Sequence, residues 1–222
     1  MSEIHSVIAV IGGTGNLGHA LARRWAQAGY EIVIGSRSAE KAEEAAARIE
    51  KASGSVPVAG MTNEDAAAKA DIVIIAVPFS SQQPILTAIA GHAAGKLIVD
   101  TTVPLVPPKV ARAQMPTAGS AALSARAILG EEARLVSAFH NVAAHKLQQD
   151  VEINCDVLVF GDIPADREIV VELADKAGLR GIHGGPLDNS VAAEALTSVL
   201  IGINKRYKAD GAGIRITGHG GA

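Results

Sequence analysis

The sequence predicts an α/β fold: a doubly wound, mostly parallel sheet with a small C-terminal helical part. Three observations carry this. Short, wholly apolar runs alternate with Ala-rich helical stretches along most of the 222 residues. Runs with no polar face are what a parallel sheet covered by helices on both sides requires. Hydrophobic residues make up 48% and aromatics only 3%, so the core must be built from Ala, Val, Ile and Leu, which suits helices packed closely on a sheet. The first apolar run also leads directly into a glycine-rich turn, "IGGTGNLG" at residues 11–18.

The elements follow in order. Val7–Ile11 is a strand, and Leu17–Ala28 a helix closed by Gly29. Glu31–Gly35 is a second strand, followed by a helix over Lys41–Ala52. Val56–Ala59 is a weaker strand and Ile72–Val77 a fully apolar one. Leu97–Val99, Leu135–Ala138 and Val157–Phe160 are further short strands. Between them, "VPLVPP" and "MPTAG" make residues 103–119 an irregular loop. "DREIVVELADKAG" is a helix closed by Gly178, and "GGPLDN" at 184–189 a turn rich in helix-starting residues. Val191–Asn204 is expected as a buried helix, at an interface between subunits, before a short strand-like piece and a flexible end in "GIRITGHGGA". The chain divides into residues 1–140, a dinucleotide-binding domain, and 141–222, a smaller C-terminal domain, the transition falling between 140 and 185.

Composition narrows the function. A net charge of -3 offers no global positive field to nucleic acid or an acidic membrane. The single cysteine, Cys155, excludes an internal disulfide, fits a reducing compartment and reads as a small buried apolar residue. Met-Ser-Glu-Ile-His at the start lacks the basic and apolar parts of a signal peptide, and no apolar stretch is long enough to span a bilayer. A cytoplasmic location is expected.

Gly13, Thr14, Gly15, Asn16, Leu17 and Gly18 fit G-x-G-x-x-G between a strand and a helix, the Rossmann arrangement. There the first glycine makes the tight turn, the second admits a pyrophosphate and the third lets helix and strand pack closely. Free N–H groups at the helix start face the anion. Enzymes of NAD place an acid about 20 residues on to hold the ribose 2′-hydroxyl. Here the second strand ends in Ser36-Arg37, with Lys41 one turn later and no carboxylate. An Arg fork, a hydroxyl and a Lys suit a 2′-phosphate, which predicts NADP(H).

Groups for chemistry beyond the cofactor are few. His140 and His145 are five apart, poor spacing for two ligands on one helix face, so no metal site is expected. His140 follows "LVSAF" at the C-terminal end of a strand, where ligands of doubly wound folds bind. Val77 and Pro78 end another strand at that edge and suit a wall against the dinucleotide; Asp100 there either joins the site or caps its own turn. Tyr30 and Tyr207 are the only tyrosines, and neither forms an evident Tyr–Lys proton-donor pair, although Tyr207 sits in "KRYK". Such a sparse set fits hydride transfer between two carriers, which needs alignment and exclusion of water more than acid–base groups.

The motifs "IGGTGNLG", "EIVIGSR" with "EKAEE", "GMTNEDAA", "DIVIIAVP", "VSAFH" and "GLRGIHGGPLDNS" run nearly end to end. Together they resemble the NADPH:F420 oxidoreductase family, the F420-dependent NADP reductases. That resemblance implies a Rossmann domain with a small C-terminal part, and hydride exchange between NADP(H) and the deazaflavin coenzyme F420. It implies that Thr14, Gly15, Asn16 and Leu17 hold the pyrophosphate, and Ser36, Arg37 and Lys41 the 2′-phosphate. Val77, Val103, His140 and Ala144 would line the nicotinamide and deazaflavin pocket. Within it, our expectation is that His140 positions the acceptor rather than acting as an obligatory acid. A homodimer or higher homo-oligomer is implied, with the C-terminal helix contributing contacts. "FSSQQ" after Pro78 and Val191 after Ser190 depart from the pattern, and Lys205, Arg206 and Lys208 offer the charge an anionic F420 tail needs. Two other readings stand: an NADPH-dependent reductase of a flavin, ferric chelate or imine on the same scaffold, and a non-catalytic NADP(H)-sensing module.

Overall fold

The structure, a computed structural model, describes residues 6–54 and 56–218. One eight-stranded sheet runs through it. Its strands are β1 (Val7–Ile11), β2 (Glu31–Ser36), β3 (Val58–Thr62), β4 (Ile72–Ile75), β5 (Leu97–Asp100), β6 (Arg134–Ser137), β7 (Asp156–Gly161) and β8 (Arg180–Gly185), in the order 3-2-1-4-5-6-7-8. Every pairing is parallel except β6 with β7. The strands of residues 141–222 therefore continue the sheet begun by residues 1–140.

Helices cover both faces, and strand alternation decides which side chain meets which layer. Ile8 and Val10 of β1 share a core with α1 (Asn16–Gln27), α2 (Ala39–Ser53) and α7 (Pro164–Lys176), through Leu21, Trp25, Ile49 and Leu173. Ala9 and Ile11 point the other way, toward α3 (Asn63–Lys69), α4 (Phe79–Ile89) and α5 (Ala121–Leu129), through Ala66, Leu86 and Ala122. Trp25 meets Phe139 edge to face at 5.8 Å, and its indole N–H donates to the Leu173 carbonyl at 2.8 Å. Two further helices are α6 (Ala144–Leu147) and α8 (Ser190–Tyr207).

Several expectations shift. The fourth strand stops at Ile75 rather than Val77: Ala76 makes a last bond to the Ile11 carbonyl, and Pro78, which has no N–H to give a sheet, stands before α4. Helix α8 is half-buried rather than buried. Ala193, Glu194, Ser198 and Leu200 face inward, while Val199 is 51% and Tyr207 75% exposed. Its apolar content runs round the helix instead of along one stripe. The described part of the tail forms no regular strand, but it runs beside the start of β7: the Asp156 N–H donates to the Ile214 carbonyl and the Ile216 N–H to the Asp156 carboxylate. Residues 1–5 and 219–222, which include the N-terminal stretch and the expected flexible end, lie outside the described residues. Among the described residues, no helix is long and apolar enough to cross a membrane.

Candidate functional site

The site begins where β1 turns into α1. The turn's positive φ, +81°, falls on Gly12, one residue before the expected Gly13, and a Cβ on Gly12 would stand 2.4 Å from the Ala76 carbonyl oxygen. The loop thus lies directly on the end of β4. Gly15 precedes α1 in an extended conformation and brings no side chain to cap it. The first N–H groups of that helix are left facing the sheet's C-terminal edge, ready for an anion.

β2 ends beside this loop. Ser38 caps α2 by accepting from the Lys41 N–H, which fixes the chain just after Arg37 and sets Lys41 in the helix's first turn. Arg37 and Lys41 are exposed, and among the described residues neither pairs with an acid. Between these groups and the start of α4 lies a cleft of about 560 Å³. Gly12, Thr14, Gly15, Ser36, Arg37, Ser38 and Lys41 form its polar side; Ala76, Val77, Pro78 and Ile85 form its apolar side, with Ser81 and Asn63 between. The structure therefore gathers Thr14, Gly15, Ser36, Arg37, Lys41, Val77 and Pro78 around one cavity. Gly13, Asn16, Leu17 and Gly18 build the turn and the start of α1 behind it without lining it.

Asn63 was not among the residues expected here. It is 6% exposed, and its Oδ1 is buried without a hydrogen-bond partner. An unpaired buried acceptor costs about 1–3 kcal/mol.

His140 stands elsewhere. It follows Phe139, whose φ of +65° is rare for a bulky residue and turns the chain sharply off the end of β6. His140 is 6% exposed, and its Nε2 shares a 2.8 Å hydrogen bond with Ser137 Oγ. Burial drives its pKa down to about 3, so the ring is neutral. It borders a second cavity of about 320 Å³ with Asn141, Val142, Thr197, Leu200 and Asn204. Asn141 donates to the Ala193 carbonyl (2.9 Å) and to Thr197 Oγ1 (3.0 Å), and Thr197 donates to the His140 carbonyl at 3.0 Å, so α8 holds this segment in place. Val103 and Ala144, expected in the same pocket, line neither cavity. Val103 sits in the loop beyond β5, and Ala144 opens α6, which packs on α1.

A buried polar chain lies beneath. Asp100 accepts from the Thr102 N–H at 3.0 Å, as the cap of its own turn, and from Gln82 Nε2 at 2.5 Å; burial raises its pKa. Gln82, from the divergent "FSSQQ", also donates to the Ala121 carbonyl. Glu194 of α8 accepts from the N–H groups of Ala121 and Ala122, at 2.6 and 3.1 Å, and burial pushes its pKa up to about 7. These contacts link the helix that walls the first cleft to the helix that walls the second. Gln82, Asn141, Glu194 and Thr197 escaped the sequence reading because their partners are far away along the chain. Among the described residues, His, Cys, Asp and Glu side chains form no group of three or more suited to a metal.

Residues 7–104 match the family described as "NADP oxidoreductase coenzyme F420-dependent". An F420-dependent NADP reductase of Methanothermobacter thermautotrophicus is 42% identical over 218 residues, covering 95% of this chain and 94% of the relative. One from Methanocaldococcus jannaschii is 39% identical over 220 residues, covering 95% and 97%. Among solved structures, a hypothetical protein from Sinorhizobium meliloti superposes with a TM-score of 0.69 at 23% identity, over 86% of this chain and 88% of that one. An imine reductase from Bacillus cereus gives 0.63 at 17% identity, over 91% and 62%. At these identities the two structures speak for the fold alone.

Proposed function

Because the chain belongs to the F420-dependent NADP reductase family, we propose that it exchanges a hydride between NADP(H) and the deazaflavin coenzyme F420. The observation that carries the nucleotide half is the cleft itself. Its polar side joins an uncapped helix start to two cations that have no acidic partner among the described residues, at the place where a ribose-binding acid is missing. These groups fit a pyrophosphate and a 2′-phosphate. Thr14 and Gly15 in the lining, backed by the N–H groups of Asn16 and Leu17 at the helix start, hold the first, and Ser36, Arg37 and Lys41 the second. NADPH supplies the hydride, and the protein supplies alignment. Val77 and Pro78 form an apolar wall that keeps water from the dinucleotide.

On the acceptor side, His140 positions F420 as a neutral hydrogen-bonding group, held by Ser137 and by the Thr197 contact to its carbonyl. Residues 1–140 act as the nucleotide-binding unit, and 141–222 as a smaller unit sharing its sheet. The exposed apolar face of α8 suits a homodimer, or a higher homo-oligomer. A cytoplasmic setting, in which buried Cys155 stays reduced, completes the picture.

Mixing the protein with NADPH and oxidised F420 is expected to bleach the F420 absorbance rapidly, with NADH giving little. Tight NADPH binding without bleaching would move the proposal to another acceptor, or to a sensing module. Equal rates with NADPH and NADH would overturn the 2′-phosphate assignment.

His140 allows a separate check. Its folded pKa, about 3, lies below the ordinary 6.5, so in the window between them the unfolded chain binds the extra proton. Stability from this residue is complete above pH 6.5 and declines as pH falls toward 3. His140→Gln is expected to flatten this decline, measured as the loss in urea midpoint between pH 7.5 and 5. A variant as acid-sensitive as the parent would show that His140 is not buried neutral.

A further inference from the structure

We propose that the side-chain amide of Asn63 reads the adenine base of the bound nucleotide, an assignment that rests on the NADP(H) reading above. Asn63 stands one residue beyond Thr62, and Thr62 lies opposite Ser36 where β3 pairs with β2. It lines the same cleft as Ser36, Arg37 and Lys41. In an adenine nucleotide the base is carried on the ribose carbon next to the one bearing the 2′-phosphate. A phosphate held by those three residues leaves the base within reach of the end of β3.

The Asn63 amide is not spent on the fold. The residue before it already caps α3: Thr62 Oγ1 accepts from the Asp65 N–H. Asn63 Oδ1 is enclosed and unpaired. The glycine at residue 35 leaves that oxygen uncrowded, since a Cβ there would stand 3.2 Å from it. Among the described residues, the other buried unpaired side-chain atoms, Thr102 Oγ1 and Arg167 Nε, belong to residues that do not line the cleft. Because Oδ1 is unpaired and the residue lines the cleft, turning this amide toward a ligand breaks no hydrogen bond to Oδ1 and gives it the donor it lacks.

The chemistry of the amide selects the base. A carboxamide sets an acceptor beside a donor, and its complement is an amino group beside a ring nitrogen, which adenine offers through N6 with a neighbouring nitrogen. A phosphate has acceptors only and leaves Oδ1 unsatisfied. A ribose hydroxyl matches one half of the amide. In the same lining, Val77, Pro78 and Ile85 supply the apolar surface that the face of a purine requires.

The test compares binding of NADP+ with that of its analogue carrying unsubstituted purine, which is smaller than adenine and lacks the N6 donor. The parent protein is expected to prefer NADP+ by about tenfold, the worth of one well-made buried hydrogen bond. Asn63→Ala should bind NADP+ about tenfold more weakly and prefer it over the analogue by less than about threefold. Its unfolding midpoint without ligand should be unchanged or raised, because an unpaired buried group has been removed. Asn63→Ser, a residue well suited to a helix start, carries the same expectation should the alanine variant fold poorly. Full discrimination kept by both variants, or a lowered ligand-free midpoint in both with affinity unchanged, would make Asn63 purely structural and overturn the proposal. A parent that binds the two nucleotides equally well overturns the adenine contact alone. One that binds neither overturns the NADP(H) reading with it.

Discussion

Arg37→Ala is expected to weaken NADPH binding by about 10- to 150-fold while leaving NADH binding within a factor of about three. The guanidinium is exposed at the rim of the cleft, beside Ser36 and Lys41, and no acid among the described residues neutralises it. Nothing in the fold depends on it, so thermal stability should hold. What is lost is a charge-assisted contact to a phosphate that NADH does not carry. Arg37→Lys should recover only part of the affinity, because an ammonium keeps the charge without the fork. Fluorescence titration with both nucleotides measures the effect. An equal loss for NADPH and NADH would mean that Arg37 supports the pyrophosphate or the loop, and the 2′-phosphate assignment would have to be abandoned.

Gly60→Ala should damage the fold more than any surface change. Gly60 lies in the middle of β3, opposite Ile34 of β2, with α2 pressed onto it. A Cβ at this position would stand 2.2 Å from the Glu43 amide nitrogen and 2.3 Å from the Ala42 carbonyl carbon. Both are backbone atoms of a helix, so no rotamer change relieves the overlap. Either α2 lifts from the sheet or the edge strand slides. We expect a loss of at least about 3 kcal/mol and a melting temperature lower by roughly 6–12 °C. Nucleotide affinity should fall too, since Lys41 lies on α2 and Asn63 follows β3. Circular dichroism melts report the first effect; a drop under about 2 °C would show that α2 and β3 have slack between them.

What was legible in the sequence was what is local along the chain. A run such as Val7–Ile11 carries its burial in its composition, and the glycine loop with Ser36 and Arg37 carries its chemistry in a few adjacent residues. The strand β8 escaped because "RGIH" has no apolar run and its last two glycines read as part of the turn "GGPLDN". Its glycines serve close packing: a Cβ on Gly184 would stand 2.2 Å from the Phe160 ring, and one on Gly181 2.7 Å from Val171. Helix α4 escaped because "FSSQQPIL" places Pro84 inside it and buries a glutamine. Asp100 was ambiguous between site and cap, and geometry shows the cap, with Gln82 added. The pairing of Glu194 with Ala121 and Ala122 joins residues more than 70 positions apart, which no local pattern announces. For α8, apolar content predicted burial, but only packing reveals that one face has no neighbour among the described residues.

The strand order has a consequence for how the protein is made. Only the pairing of β1 with β4 joins strands that are not successive in the chain; every other strand is laid beside the one synthesised just before or just after it. Once β4 has closed on β1, the remaining strands are added one at a time to a growing edge. All residues lining the cleft proposed for the nucleotide lie between Gly12 and Ile85. Its walls are therefore complete while the C-terminal strands and α8 are still to emerge from the ribosome. A ligand that binds only folded chain shifts folding toward it by mass action. In a polypeptide that folds from its N-terminal side during synthesis, the nucleotide is placed to secure the first half of the sheet before the second half exists.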